Sequence, residues 1–152
     1  MLPPLALAQL TTLVIGASLL GRLLLDRSDS PDASIEEDGD SVSVVLHGWD
    51  ALWAQRRRVR VRLDDVRSVC VEPFDRLPAT GVPIWGTVLP GRLRVGTFLV
   101  RGEREFWAAR RRGDLLRVEL GAGARWDRLL VQVSDPNATA IALRRRAAPA
   151  LG

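Results

Sequence analysis

Between residues 58 and 63, arginine and aliphatic side chains alternate one for one: Arg58, Arg60 and Arg62 against Val59, Val61 and Leu63. A helix would spread such a pattern around its circumference, whereas an extended chain sends successive side chains to opposite faces. The alternation predicts a strand with its aliphatic face toward a core and its guanidinium groups toward water. It returns in Leu116, Val118 and Leu120 against Arg117 and Glu119, and in Leu129, Val131 and Val133 against Leu130 and Gln132. Further strands are expected over 41–46, 66–72, 93–101 and 104–109. Asp64-Asp65 reads as a tight turn, and Arg101-Gly102 and Arg112-Gly113-Asp114 read as hairpin connections. About seven short strands with frequent turn signals predict a mainly β fold, an antiparallel sandwich or barrel, not a βαβ sheet.

The pattern changes at the C-terminal end. Asp135 is a capping residue, Pro136 suits the first helical position, and 137–148 supplies good helix formers. Pro136, Ala140, Leu143 and Ala147 form one apolar stripe with Ile141 beside it, and Arg144, Arg145 and Arg146 fall mainly outside it. One closing helix is expected after the strands.

The other end of the chain has a different character. Residues 2–21 carry no charge, and the apolar run resumes past Arg22 as Leu23-Leu24-Leu25. Twenty helical residues span about 30 Å, the thickness of a hydrocarbon core. The strongly apolar residues favour insertion by roughly 3–5 kcal/mol, against which Gln9, Thr11, Thr12 and Ser18 count. A cleaved signal peptide needs a basic start and a small-residue cleavage site, neither of which is present, and an interfacial helix needs a charged face. A transmembrane helix over 2–25 is therefore expected. Arg22 and Arg27, followed by Arg56, Arg57 and Arg58, lie C-terminal to it, which predicts a cell-membrane protein with its domain facing the cytoplasm. Thr12-x-x-x-Gly16 and Ala17-x-x-x-Gly21 are spacings that let helices pack closely, and make a homo-oligomer one expectation.

Charge divides the chain further. Residues 26–40 hold seven acids against Arg27 and almost nothing apolar, so this stretch is expected to be a flexible linker before a domain over 41–148. A tether of that length reaches about 20 Å. Its acids could alternatively fold back onto the domain, but a solvated spacer is the simpler expectation. From residue 41 onward there are twenty arginines and eleven acids. So basic a body favours anionic partners.

Several stretches together resemble the bacterial pleckstrin-homology-like domains. They are Leu46-x-Gly48, the run from Arg60 to Val69, and Gly86-Thr87-x-Leu89-Pro90-Gly91. With them go Gly96-Thr97-Phe98, Glu105-Phe106-Trp107, and Asp127-Arg128-Leu129-Leu130-Val131 leading to Asp135-Pro136. The likeness spans most of 41–147. It implies a seven-stranded bent barrel plugged at one end by a C-terminal helix, often carried on a membrane-anchored chain. It implies no particular activity. The lysine-rich first hairpin of the phosphoinositide-binding relatives has no counterpart here, so inositol-phosphate recognition is not carried over.

Little in the sequence suggests catalysis. His47 is the only histidine and Cys70 the only cysteine, and neither stands in a nucleophile motif or a metal-ligand spacing. Cys70, in an apolar run, is expected to be a buried structural thiol. Gly121-Ala122-Gly123 lacks the Lys-Ser/Thr of a phosphate loop. No cofactor or metal is expected. Of the five tryptophans, Trp85, Trp107 and Trp126 are expected mostly in cores, whereas Trp49 and Trp53 have a membrane interface as their alternative. Three arginine clusters remain as candidate anionic-lipid contacts: Arg56, Arg57 and Arg58, then Arg110, Arg111 and Arg112, and last Arg144, Arg145 and Arg146. The function expected is a membrane-anchored interaction or assembly module, with anionic-lipid binding through these arginines as the alternative. The partners are then the membrane, lipid headgroups or another protein, and not nucleic acid, for which no recognition motif is present.

Overall fold

The computed structural model describes residues 33–47, 58–77, 81–89, 93–110 and 113–148. These form two sheets and one helix. The first sheet is the antiparallel sequence β1 (Ala33–Asp38), β2 (Ser41–Leu46) and β3 (Arg58–Arg62). The second has six strands: β4 (Val66–Pro73), β5 (Val82–Leu89), β6 (Leu93–Val100), β7 (Glu103–Arg110), β8 (Asp114–Leu120) and β9 (Arg128–Val131). Their order across the sheet is β4-β8-β9-β7-β6-β5. The mainly β class and the closing helix agree with the alternation and the capping signals.

The strand count is nine among the described residues, not about seven, and both additions have a physical reason. β1 lies inside the acidic stretch expected to be linker. Its backbone pairs residue for residue with β2 through the Gly39-Asp40 turn, where Gly39 has a φ of 55°. Hydrogen bonding to a neighbour, which local composition does not register, orders 33–40. β5 contains Pro83 and Gly86 and shows no alternation, because it is an edge strand exposed along most of its length.

Two topological expectations also change. The pairing of β7 with β9 is parallel, so the second sheet is mixed, not wholly antiparallel. β9 also inserts between β7 and β8, so Arg112-Gly113-Asp114 does not join paired strands as a hairpin would. Arg101-Gly102 does, as a two-residue turn from Val100 to Glu103 with positive φ at both residues (52° and 88°).

The second sheet buries side chains on both faces. One face carries Phe98, Val100, Trp107, Ala109, Leu115 and Leu130, all buried, with Phe74 and Leu77 packed against them. The other carries Val95, Phe106, Ala108, Leu116, Val118, Leu129 and Val131, where Trp126 meets Phe106 edge-on at 5.9 Å between ring centroids. Each fully buried leucine, valine or phenylalanine contributes about 1.5–3 kcal/mol. One face of the first sheet buries the apolar side chains of Ala33, Val42, Val44, Leu46, Val59 and Val61. Helix α1 (Pro136–Ala147) packs on β4 and β8 through Ala140, Leu143 and Ala147, with Ile141 left exposed. Asp135 caps it by accepting from the Ala138 N–H at 2.8 Å. Among the described residues no helix is long and apolar enough to cross a membrane. The segment 2–25 expected to do so, and linker residues 26–32, lie outside the described part.

Candidate functional site

Of the nine arginines singled out in the sequence, the five that are described do not present one bare surface. Arg56, Arg57, Arg111 and Arg112 lie outside the described residues, as do Trp49 and Trp53. Arg58 pairs with Glu36 at 2.8 Å, and its strand neighbour Arg60 pairs with Asp38 at 2.7 Å. Arg146 reaches the same hairpin, pairing with Glu37 and donating to the Gly39 carbonyl at 2.6 Å. Arg144 is turned to the sheet, its Nε donating to the Val69 carbonyl at 2.7 Å. Arg110 is half-buried on β7, its backbone N–H donating to Gln132. Of the five described candidates, only Arg145 is exposed with no partner among the described residues. Acids expected to float in a linker thus neutralise arginines from two of the clusters.

A second charged feature runs across the six-stranded sheet. Glu105 on β7 faces Arg128 on β9, and Arg128 faces Glu119 on β8. Arg117 is one pleat further along β8, and Glu72 lies diagonally from it on β4, so all five share a face. Their side chains interlock. Arg117 bridges Glu72 at 2.7 Å and Glu119 at 2.5 Å. Arg128 bridges Glu119 at 2.7 Å and Glu103 at 3.3 Å, and also pairs with Glu105. Glu105 is only 1% exposed, and its second oxygen accepts from the Trp107 indole N–H at 2.8 Å. Burial by itself raises the Glu119 carboxyl, but the hydrogen bonds from Arg128 and Arg117 outweigh it and leave the group below the usual carboxylate range. Burial opposes the charge on both arginines, and their glutamate partners more than offset this, raising Arg117 and Arg128 above the ordinary arginine value.

Glu72, Glu103, Glu105, Arg117 and Arg128 of this network line a cleft of about 660 Å³. The cleft lies among the end of β4, residues 74–77 and the Val100–Glu103 turn, with Trp107, Leu130 and Val100 as apolar lining. Arg76 and Arg101 also line it, and neither makes an ion pair or hydrogen bond among the described residues. Arg101 sits at a left-handed backbone position (φ 52°) that costs a side-chain-bearing residue about 1–2 kcal/mol and that glycine takes freely. None of these cleft residues was a candidate site residue in the sequence. Arg117 and Glu119 read there as the solvent side of an alternating strand, Glu105 entered only through the family resemblance, and Arg101 was visible only as part of a turn.

The third feature is the edge of the same sheet at β5, which pairs with no further strand among the described residues. β5 has no charged residue, and Val82 (67% exposed), Trp85 (63%), Ile84 and Val88 are open to solvent, joined by Leu99 across the ladder from Val82. Trp85 therefore departs from the core role that Trp107 and Trp126 take up.

The remaining reactive side chains form no catalytic arrangement among the described residues. The Ser34 hydroxyl and the His47 Nε2 lie 2.8 Å apart at the exposed end of the first sheet, with no carboxylate on the ring among the described residues. Cys70 is half-buried, not buried. Burial, then the charge of Glu72, pushes its thiol up, which disfavours the nucleophilic thiolate. No group of three metal-ligating side chains occurs among the described residues. Comparison of the chain with family models, with curated proteins and with solved structures finds no match.

Proposed function

We propose that this chain is a pleckstrin-homology-like interaction module, held at the cell membrane by a helix over 2–25 with its domain toward the cytoplasm, and working by assembly and not by catalysis. The observation that carries the reading is the edge strand β5: eight residues without a charge, in a chain rich in arginine, with large apolar side chains exposed beside backbone that has no partner strand on its outer side among the described residues. Proteins usually protect such an edge with charge or cover it, because it accepts another strand. A partner chain adding a strand there would gain main-chain hydrogen bonds and cover Val82, Trp85 and Leu99 together. The alternative, anionic-lipid binding through the arginine clusters, has less support, since Arg58, Arg144 and Arg146 already have partners.

Two measurements test the two halves of this reading. Alkaline carbonate should leave the full chain in the membrane pellet; its release would remove the spanning helix. A photo-crosslinker at Val82 should give a discrete protein adduct in native membranes that Trp85→Asp abolishes. A crosslinker at the exposed Ile141 should give none. Equal adducts from both sites, or none from Val82, would remove the role of β5.

A further inference from the structure

Among the described residues the two sheets have four edge strands, and three of them resist the addition of another strand. β1 carries Glu36, Glu37 and Asp38, and β3 carries Arg58, Arg60 and Arg62. β4 carries Arg67 and Glu72, and α1 packs against it. Charge on an edge and cover over it both oppose further pairing. β5 has no charge and pairs only with β6 among the described residues. Its apolar side chains stand on both faces of the sheet. Val82 and Trp85 lie opposite Leu99 and Thr97, which share one face, whereas Val88 lies opposite Arg94 on the other. Val82, Trp85, Val88 and Leu99 are all exposed. A strand laid along β5 therefore needs a stretch free of charge on both of its faces. Of the nine described strands only β2 and β5 meet that condition, and β2 is already paired on both sides, with β1 and β3. Within this chain, the strand that fits the β5 edge is β5 itself.

We infer that β5 pairs antiparallel with β5 of a second copy of this chain, joining two six-stranded sheets about a two-fold axis at Thr87. The inference rests on the reading of β5 as a strand acceptor and names the strand it accepts. A two-fold contact asks for a single self-complementary surface, and an uncharged strand brings no like-charge repulsion to the junction of two arginine-rich bodies. The position of the axis follows from the ladder. β5 shifts register between Pro83 and Trp85, so its regular stretch runs from Trp85 to Leu89 with Thr87 at the middle. Pro83, which has no N–H to give, falls outside that stretch. Trp85, Thr87 and Leu89 lie opposite Thr97, Val95 and Leu93 on one face, and Gly86 and Val88 lie opposite Gly96 and Arg94 on the other. Antiparallel pairing about Thr87 sets Trp85 beside the partner's Leu89 and Val88 beside the partner's Gly86, so all five positions pair and each pair shares a face. Two copies anchored in one membrane, as proposed above, meet at high effective concentration, and a short ladder then suffices.

Cysteine cross-linking of the full chain in native membranes tests this, with Cys70→Ser removing the native thiol. Directly opposed residues of an antiparallel pair have Cα atoms about 4.5–5.5 Å apart, within the span of a disulfide. Thr87→Cys should therefore give a covalently doubled chain under mild oxidation. Ile141→Cys, at an exposed position on α1, should give none. Trp85→Asp added to Thr87→Cys brings a carboxylate to each side of the axis and should reduce the doubled species by about tenfold or more. No disulfide at Thr87, equal cross-linking from Ile141, or a yield that Trp85→Asp leaves unchanged overturns the self-pairing. The photo-crosslinker at Val82 separates that failure from failure of the broader reading. A Val82 adduct with the mass of two chains supports the second copy. An adduct with a different protein, together with no Thr87 disulfide, removes the second copy and keeps β5 as an acceptor. No adduct with any protein removes both.

Discussion

At the scale of single residues, Glu105 is the most demanding group in the domain. A carboxylate with 1% exposure survives in a sheet only because Arg128 and the Trp107 N–H satisfy its two oxygens. Glu105→Ala leaves Arg128 with one partner fewer and the indole N–H with none, and should cost about 3–5 kcal/mol in urea unfolding. Glu119 makes a separate prediction about pH. Its folded carboxyl lies below the ordinary range, so the unfolded chain takes up its proton first as pH falls. Its stabilising contribution is complete above the unfolded value and disappears as pH drops through the folded one. Acid titration of stability should therefore show a limb below about pH 4.5 that Glu119→Gln flattens. An unchanged acid limb would detach Glu119 from the network. Neither residue was legible in the sequence, because a glutamate on an alternating strand looks the same whether its face meets water or a second charged row.

At the scale of elements, local signals and neighbour-dependent ones separate cleanly. The Asp135-Pro136 start of α1 is local chemistry, and the structure reproduces it. Asp135→Ala should cost about 1 kcal/mol by calorimetry, the value of an N-cap. The two overlooked strands depend instead on what lies beside them. β5 is held to β6 where Gly86 and Gly96 face each other, with φ of 134° and 132°. A Cβ on Gly96 would meet the Trp85 carbonyl oxygen at 2.2 Å, so the strands pass too closely for any side chain. Gly96→Ala should destabilise by about 1–3 kcal/mol and raise hydrogen exchange mainly over 82–89. Trp85→Ser, at an exposed position, should stay within about 0.5 kcal/mol of the parent. If it destabilises strongly, Trp85 is a packing residue and β5 is not an open edge.

At the scale of the whole molecule, the placement of charge decides what the surface offers. The excess of arginine suggests a uniformly basic body, but β1 sets Glu36, Glu37 and Asp38 against Arg58, Arg146 and Arg60. These pairs are exposed or only partly covered and add little stability, yet they reduce the basic field. Replacing the three acids together (E36Q, E37Q, D38N) should leave the fold intact and make the full chain elute from a heparin column at higher salt. Unchanged elution would mean the acids mask nothing. By itself the sequence determined the mainly β class, seven of the nine described strands, the Arg101-Gly102 turn and the capped helix. Alternation, turn chemistry and capping act within a few residues and need no distant partner. Only the tertiary structure decided the parallel entry of β9 between β7 and β8, the ordering of acidic residues as a strand, and the meeting of Glu72, Glu105, Arg117 and Arg128 around one cleft. These depend on register between segments up to dozens of residues apart, and a one-residue slip would turn every one of those charges to the other face.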